Sequence, residues 1–133
     1  MAGYSQSPQA RKLGLSPGMR ISILEAPTGW TLDDPPELDV VGEDASADLV
    51  LVFVREATAI EERLVSLGRR IHPAGMLWVA WPRKAAGHVS DVTDSVIRDS
   101  VLPYGLVDVK VAAIDEDWSG LKIVWRLSER GSG

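Results

Sequence analysis

The feature that most constrains the fold is a pair of apolar runs separated by an amphipathic segment. "ADLVLVFV" (47–54) and "GMLWVAWP" (75–82) are apolar on both faces, which is typical of central parallel strands covered by helices. Between them, apolar side chains recur at helical spacing at Ile60, Leu64, Leu67 and Ile71. Because a strand, a helix and a second strand form a βαβ unit, the sequence predicts an α/β fold with a mostly parallel sheet.

The N-terminal segment contains a helix and two further strands. In "SPQARKLG", Ser7 is suited to be the N-cap, Pro8 to be the first helical residue and Gly14 to be the stop. "RISILEA" (20–26) lies between Pro-Gly and Pro and predicts the first strand. "ELDVVG" (37–42) predicts a second, weaker strand that ends at a glycine.

The rest of the sequence predicts a capping box at the start of the central helix, a further helix and a C-terminal hairpin. Thr58 and Glu61 have capping-box spacing for the central helix, which ends at His72-Pro73. A second helix is predicted over 91–102. Two strands, 106–114 and 120–127, are joined by "DEDWSG", which is short enough for an antiparallel hairpin.

The connections predict a sheet with one under-covered face. Right-handed crossovers in succession place the helices after the 47–54 and 75–82 strands on the same face. The segment "PTGWTLDDPPE" (27–37) and the short connection between the second and third strands are too short for a packed crossover helix, which takes about a dozen residues. The N-terminal helix is therefore the only helix expected on the other face. We expect its remaining cover to be a second subunit in a homodimer, a protein partner or Trp side chains.

Length and composition bound the class of protein. At 133 residues the chain predicts a single domain over 1–133, with flexible ends at 1–6 and 128–133. A net charge of -5 disfavours nucleic acid as a partner. The absence of cysteine excludes disulfides and zinc–thiolate sites, and no other metal site is expected. No apolar run approaches the ~20 residues that cross a bilayer, which predicts a cytoplasmic protein with no membrane partner.

Several motifs resemble a known superfamily. "KLGLSPGMRISILEAPTG" resembles the opening of class I S-adenosylmethionine-dependent methyltransferases, in which a Pro-Gly turn leads into the first strand and a glycine-rich loop. "ADLVLVFV" and "RRIHPAGMLWVAW" resemble that superfamily's fourth and fifth strands, and the terminal hairpin resembles its sixth and seventh. The resemblance implies a single Rossmann-like, methyltransferase-like domain with few helices.

A closer resemblance brings no activity with it. "GYSQSPQARKLG", "LWVAWPRK" and "GLVDVKVAAIDEDWSGLK" together resemble a family of small bacterial proteins of unknown function that is common in actinobacteria. The function of such a chain must therefore be argued from its own residues.

The segment after the first strand departs from the methyltransferase pattern. Glu25 matches the acidic position at the strand end, but Ala26 and Pro27 follow in place of alternating glycines, which let a backbone approach a cofactor. The resemblance implies a cofactor site at Glu25, Thr28, Gly29 and Trp30, with Glu43 as the carboxylate for the ribose hydroxyls. S-adenosylmethionine is the cofactor that it implies.

A second set of candidates follows the other parallel strands. Trp supplies five of the aromatic side chains, against two Tyr and one Phe. Arg55, Trp81, Lys84 and Trp118 are expected with Trp30 on the carboxyl edge of the sheet, where open α/β folds bind ligands. A small anionic or planar ligand suits that edge.

Three functions remain open from the sequence. The leading hypothesis is a non-catalytic binding or interaction module, with no assigned catalytic residue. The second is a minimal S-adenosylmethionine-dependent methyltransferase with an atypical cofactor loop, and the third is a regulatory subunit of a larger complex. No Ser lies in a nucleophile-elbow pattern, which disfavours a hydrolase.

Overall fold

A six-stranded mixed sheet organises the computed structural model, which describes residues 7–131. The strands are β1 Arg20–Leu24, β2 Asp39–Val40, β3 Leu49–Phe53, β4 Met76–Pro82, β5 Leu106–Ala113 and β6 Trp118–Trp125. The helices are α1 Pro8–Leu13, α2 Ile60–Ile71, α3 Asp94–Val101 and α4 Leu127–Arg130. The expectation of flexible ends at residues 1–6 and 132–133 falls outside the described residues.

The strand order is β2-β1-β3-β4-β6-β5. Strands β1 to β4 pair in parallel, whereas β6 is antiparallel to both β4 and β5. This arrangement confirms the predicted α/β fold with a mostly parallel sheet and a C-terminal antiparallel hairpin. The second strand is shorter than predicted, because only Asp39 and Val40 pair with β1.

The predicted N-caps of α1 and α2 had different outcomes. For α1 the prediction is confirmed, since the Ser7 side chain accepts a hydrogen bond from Ala10 N–H and Gly14 ends the helix with φ +80°. For α2 the predicted capping box is wrong. The N-cap is Ala59, with φ +59° and no side-chain cap, because a turn from Ala57 to Ile60 delays the helix start beyond Thr58.

Helices α2 and α3 cover one face of the sheet, as predicted from the two crossovers. We call it the helical face. Its core is mainly aliphatic and buried, and it includes Val50, Val52, Leu64, Leu67, Ile71, Leu77, Val79, Ile97, Val101, Leu121 and Ile123.

The opposite face, which we call the aromatic face, has a different cover. Helix α1 packs there through Ala10 and Leu13, and the loop between β1 and β2 adds Trp30, Leu32 and Leu38. The central strands contribute Leu49, Leu51, Phe53, Trp78 and Ala80, and all five are buried. Trp side chains, one of the expected covers, thus replace helices over these strands.

The far end of the aromatic face retains the predicted under-coverage. Val107 and Val124 pair across β5 and β6 and are only half-buried. Alternation along the strands places them on the aromatic face, beyond α1. The homodimer expected at such a surface stays a prediction.

The C-terminal segment differs from the tail predicted from residue 128. Residues Leu127–Arg130 form one helical turn, α4. Arg130 Nε donates to Trp125 O at 2.8 Å, and Arg126 N–H donates to Gly105 O at 2.9 Å. These bonds anchor the turn beside the ends of β5 and β6.

Candidate ligand site at the carboxyl edge of the sheet

The strand order reverses between β1 and β3. From β1 the chain moves outward to β2, and it then crosses back to form β3 on the other side of β1. The carboxyl ends of β1 and β3 therefore flank a topological switch point, which is where open α/β sheets bind ligands. Glu25 and Arg55 lie just beyond these two strand ends.

A tight turn follows β1. Glu25 ends the strand with φ +61°, which is an uncommon conformation for a residue with a side chain. Trp30 N–H then donates to Pro27 O at 2.9 Å, and Gly29 has φ +78°. A Cβ at Gly29 would meet nothing within 4 Å, so the turn conformation rather than crowding calls for glycine there. Thr28 is exposed.

Three aromatic rings close the aromatic face beneath this turn. Phe53 makes edge-to-face contacts with Trp30 and Trp118, at centroid distances of 4.8 and 4.9 Å. Trp30 Nε1 donates to Asp115 Oδ2 at 2.8 Å, which ties the turn after β1 to the β5–β6 hairpin. Such a set of rings buries large apolar areas with defined geometry.

Arg55 lies beside these rings and has no carboxylate partner. Its Nη1 donates to Glu25 O at 3.1 Å, and its Cζ lies 5.2 Å from the Trp118 ring centroid. Within residues 7–131, no Asp or Glu forms an ion pair with it. Arg55 is therefore an exposed cation at the switch point that forms no ion pair with a described residue.

A cavity of about 510 Å³ opens at this point, and we call it the edge cavity. It is lined by Pro27, Arg55, Pro82, His88, Val89, Asp117 and Trp118. Its size lies within the range of small-molecule sites. Two of the predicted ligand-edge residues, Arg55 and Trp118, thus meet in one cavity.

The 83–93 loop, between β4 and α3, forms one wall of the edge cavity. Ser90 Oγ donates to Arg55 O at 2.9 Å, and Asp91 Oδ1 accepts from Ala57 N–H at 2.9 Å. His88 Nε2 and Asp117 Oδ1 form a hydrogen bond of 3.0 Å across the cavity mouth. These contacts hold the loop against the ends of β3 and β6.

The other predicted candidates lie in two further cavities. Trp81 and Lys84 line a cavity of about 360 Å³ near the start of α3. Glu25 and Glu43 line a polar cavity of about 310 Å³ beside α2, together with Arg63 and Arg70. The structure therefore divides the predicted residues: Arg55 and Trp118 line one cavity, Trp81 and Lys84 a second, and Glu25 and Glu43 a third. Thr28, Gly29 and Trp30 line none of these three cavities.

The polar cavity brings carboxylates and guanidinium groups together. Arg63 Nη2 lies 3.6 Å from Glu25 Oε1, and Arg70 donates to the carbonyls of Gly42 and Ala45. Burial lowers the pKa of Arg70 from its ordinary value, against the opposing influence of Asp44 and Glu43. Arg63 is thus paired with a carboxylate. Arg70 instead donates to backbone carbonyls, as Arg55 does, and its buried Nη1 has no hydrogen-bond partner among the described residues.

The residues fit S-adenosylmethionine only in part. Glu25 and Glu43 do line one cavity at the ends of β1 and β2, as the resemblance implies. The loop does not offer a glycine-lined cradle, because Pro27 lacks an N–H and Trp30 packs its ring against Phe53.

Sequence reasoning missed the His88–Asp117 pair and the apolar walls formed by Pro27, Pro82 and Val89. His88 and Asp117 are 29 residues apart. The β4–β6 register, which opposes Pro82 and Trp118, brings their segments together. No local sequence signal carries that register.

Residues 7–131 hold no cluster of three or more His, Asp or Glu side chains suited to a metal ion. No described helix is both long and apolar enough to span a membrane.

A family model for proteins of unknown function, DUF3052, matches residues 29–127. The chain belongs to this family. A sequence search of curated proteins finds no match. The matched region of this DUF3052 protein runs from the turn after β1 to the end of β6, and so it includes every residue that lines the edge cavity except Pro27.

Solved structures with the same fold have low sequence identity. An S-adenosylmethionine-dependent methyltransferase from Aquifex aeolicus aligns with a TM-score of 0.53 and 11% identity, over 85% of each chain. A protein of the NADB-Rossmann superfamily from Streptococcus agalactiae gives 0.55 and 9%, over 98% of this chain and 72% of that one. A fibrillarin/Nop5p complex gives 0.50 and 13%, over 94% and 86%. At these identities the likeness shows the fold alone.

The comparisons confirm the predicted family of unknown function and the methyltransferase-like, Rossmann-like fold. They leave open whether this DUF3052 protein is a catalyst. Its own residues must decide between the hypotheses.

Proposed function

We propose that this DUF3052 protein is a non-catalytic binding module whose edge cavity holds a small anionic ligand. The observation that carries the proposal is Arg55, a guanidinium without a carboxylate partner that lies at the switch point of the sheet. The only hydrogen bond of its side chain among the described residues goes to Glu25 O. Its remaining N–H donors are available to an anion.

The position of Arg55 supports binding rather than fold stabilisation. It follows β3 directly and lies outside the buried core. The other lining side chains offer no activated nucleophile: two are Pro, one is Val and one is Trp, and the polar pair His88 and Asp117 bond to each other. No Ser, Thr, Cys or Lys lines the described cavity, which supports ligand binding rather than covalent catalysis.

NMR titration of the full chain tests the proposal. Acetate, benzoate, cyclohexanecarboxylate and inorganic phosphate are added separately at constant ionic strength, and the Trp118 indole N–H signal is followed. We expect millimolar or tighter binding of at least one anion. Arg55→Met should abolish it, because it removes the cation while retaining an apolar stem.

The matched control is Arg69→Met, which makes the same change at an exposed position on α2 outside the edge cavity. It should bind like the unmodified chain. If no anion binds, or if Arg55→Met binds as tightly as the control, the edge cavity is not an anion site.

A minimal methyltransferase is the second candidate, favoured by one observation. Glu25 and Glu43 line the same polar cavity at the ends of β1 and β2. Calorimetric titration with S-adenosylhomocysteine distinguishes the two candidates. Micromolar binding that is lost in both Glu25→Gln and Glu43→Gln would favour the methyltransferase, whereas no binding would favour the binding module.

A further inference from the structure

Resting on the proposed function, we infer that the ligand of the edge cavity is a planar carboxylate with an apolar ring. Its carboxylate would pair with Arg55, and its ring would lie among Pro27, Pro82, Val89 and Trp118. The inference follows from the chemistry of the two prolines, Arg55, Trp118 and Val89 in the cavity lining.

Two prolines form the walls at the ends of β1 and β4. Pro27 follows β1 after two residues, and Pro82 is the last residue of β4. Neither residue has a backbone N–H, so two places where an α/β fold normally offers hydrogen-bond donors offer only hydrocarbon rings. The ligand atoms at these walls must be apolar, since polar atoms there would lose hydrogen bonds to water without replacement.

The same walls disfavour a phosphate as the anionic group. Phosphates in α/β folds bind to the N–H groups of glycine-rich loops and helix N-termini. None of the described residues that line the edge cavity belongs to the first turn of α2 or α3. A carboxylate needs only the planar fork of one guanidinium, which it can accept in a bidentate manner.

The arrangement of Arg55 and Trp118 favours a flat ligand. The guanidinium lies 5.2 Å from the centre of the indole, and Trp118 is only 9% exposed. Its ring is held by Phe53 and cannot move aside without disturbing that contact. A planar carboxylate extends the plane of the guanidinium and presents a flat apolar face to these rigid rings.

Val89 supplies an apolar surface that is almost fully exposed to solvent. It is 97% exposed, the highest value among the large apolar side chains that the structure describes as exposed. It nevertheless lines the edge cavity, on the loop that Ser90 and Asp91 hold in place. An apolar ring in the cavity would cover part of Val89, and burial of that surface would favour binding.

Four matched probes test the inference by NMR titration of the full chain. Benzoate is planar and anionic, cyclohexanecarboxylate is anionic but not planar, benzamide is planar but neutral, and inorganic phosphate is anionic without a ring. We expect benzoate to bind roughly tenfold more tightly than each of the other three, as seen at the Trp118 indole N–H.

The pattern of affinities separates this inference from the proposed function. If cyclohexanecarboxylate or phosphate binds as tightly as benzoate and Arg55→Met abolishes that binding, the anion site stands and the planar carboxylate is wrong. If benzamide binds as tightly as benzoate, or if no probe binds, both proposals are wrong.

A pair of surface variants tests the position of the ring. Val89→Ser should weaken benzoate binding roughly fivefold, because it removes exposed apolar surface beside the ligand. Val40→Ser is the control, since Val40 is 73% exposed and does not line the edge cavity. Both side chains are solvent-exposed, so both variants should fold. Equal benzoate affinity in the two variants would place the ring elsewhere and overturn the inference.

Discussion

The two faces of the sheet are covered by different means. On the helical face, α2 and α3 supply rows of aliphatic side chains such as Leu64 and Ile97. On the aromatic face, one six-residue helix and a loop supply the cover, and Phe53, Trp78 and Trp118 are buried. The centre of the sheet is thus covered by two helices on one side and largely by aromatic rings on the other.

This difference shows how a short chain can lose helices from a Rossmann-like fold. A buried Trp covers far more area than a Leu, so a few rings can replace a helix over a narrow sheet. The cost is a dependence on single residues. On the helical face many side chains share the cover, and the loss of one should be tolerated better.

The largest expected effect comes from a core substitution on each face. Trp78→Ala should lower the free energy of unfolding by about 3–5 kcal/mol, because Trp78 is fully buried and its Nε1 donates to Leu13 O. Leu64→Ala, equally buried on the helical face, should cost about 3 kcal/mol. Urea denaturation followed by circular dichroism measures both values. A smaller loss of unfolding free energy for Trp78→Ala than for Leu64→Ala would contradict the view that the aromatic face depends more strongly on single residues.

Helix caps give the next largest effect. Ser7 accepts from Ala10 N–H in α1 and also donates to Asp33 O at 2.6 Å, in the loop of the aromatic face. Ser7→Ala should therefore cost about 1–2 kcal/mol of unfolding free energy. Thr93→Ala removes only a cap of α3, the bond from Val96 N–H, and should cost about 1 kcal/mol. If thermal unfolding shows a larger loss of stability for Thr93→Ala than for Ser7→Ala, the cap of α1 contributes less to stability than its two hydrogen bonds indicate.

Two side-chain tethers give the smallest effects. On the aromatic face, Trp30→Phe removes the partly buried bond to Asp115 and should cost about 1 kcal/mol. On the helical side, Tyr104→Phe removes an exposed bond from Tyr104 to Glu61, at 2.6 Å, and should leave unfolding almost unchanged. Denaturant midpoints of the two variants measure the difference. Equal midpoints would mean that the Trp30 bond contributes no more than a surface contact.

The Tyr104 tether also has a titration signature. The hydrogen bond to Glu61, followed by the charge of that carboxylate, raises the pKa of Tyr104 above its ordinary value of 10.0. Because the neutral phenol is the donor, the contribution to stability is present below that ordinary value and is lost as pH rises through the raised pKa. Ultraviolet titration should show one tyrosine ionising late, and Glu61→Gln should shift it back towards 10.0.

Local signals predicted elements well where the chemistry is local. Ser7, Pro8 and Gly14 marked α1 correctly because a cap and a stop act within a few residues. The capping box predicted at Thr58 and Glu61 does not form, because a turn from Ala57 to Ile60 moves the start of α2 beyond Thr58. Glu25, at φ +61°, ended β1 two residues before the predicted boundary.

The candidate site could be predicted only in part. Arg55 and Trp118 were placed at the carboxyl edge from their positions after predicted strands, and they do line one cavity. Trp81 and Lys84 were placed on the same edge but line another cavity, because alternation along β4 points Trp81 to the helical face. Periodicity locates a strand end, but the face that a side chain occupies there depends on the exact strand register.

The sequence by itself determined the α/β class, the parallel centre of the sheet and the terminal hairpin. Apolar runs and helical spacing express which surfaces must leave water, and that requirement is readable residue by residue. Only the tertiary structure decided that Trp rings cover the centre of the aromatic face, that His88 meets Asp117, and that Arg55 forms no ion pair with a carboxylate of residues 7–131. Those outcomes depend on contacts between segments far apart in the chain, and they cannot be read from the residues next to each position in the sequence.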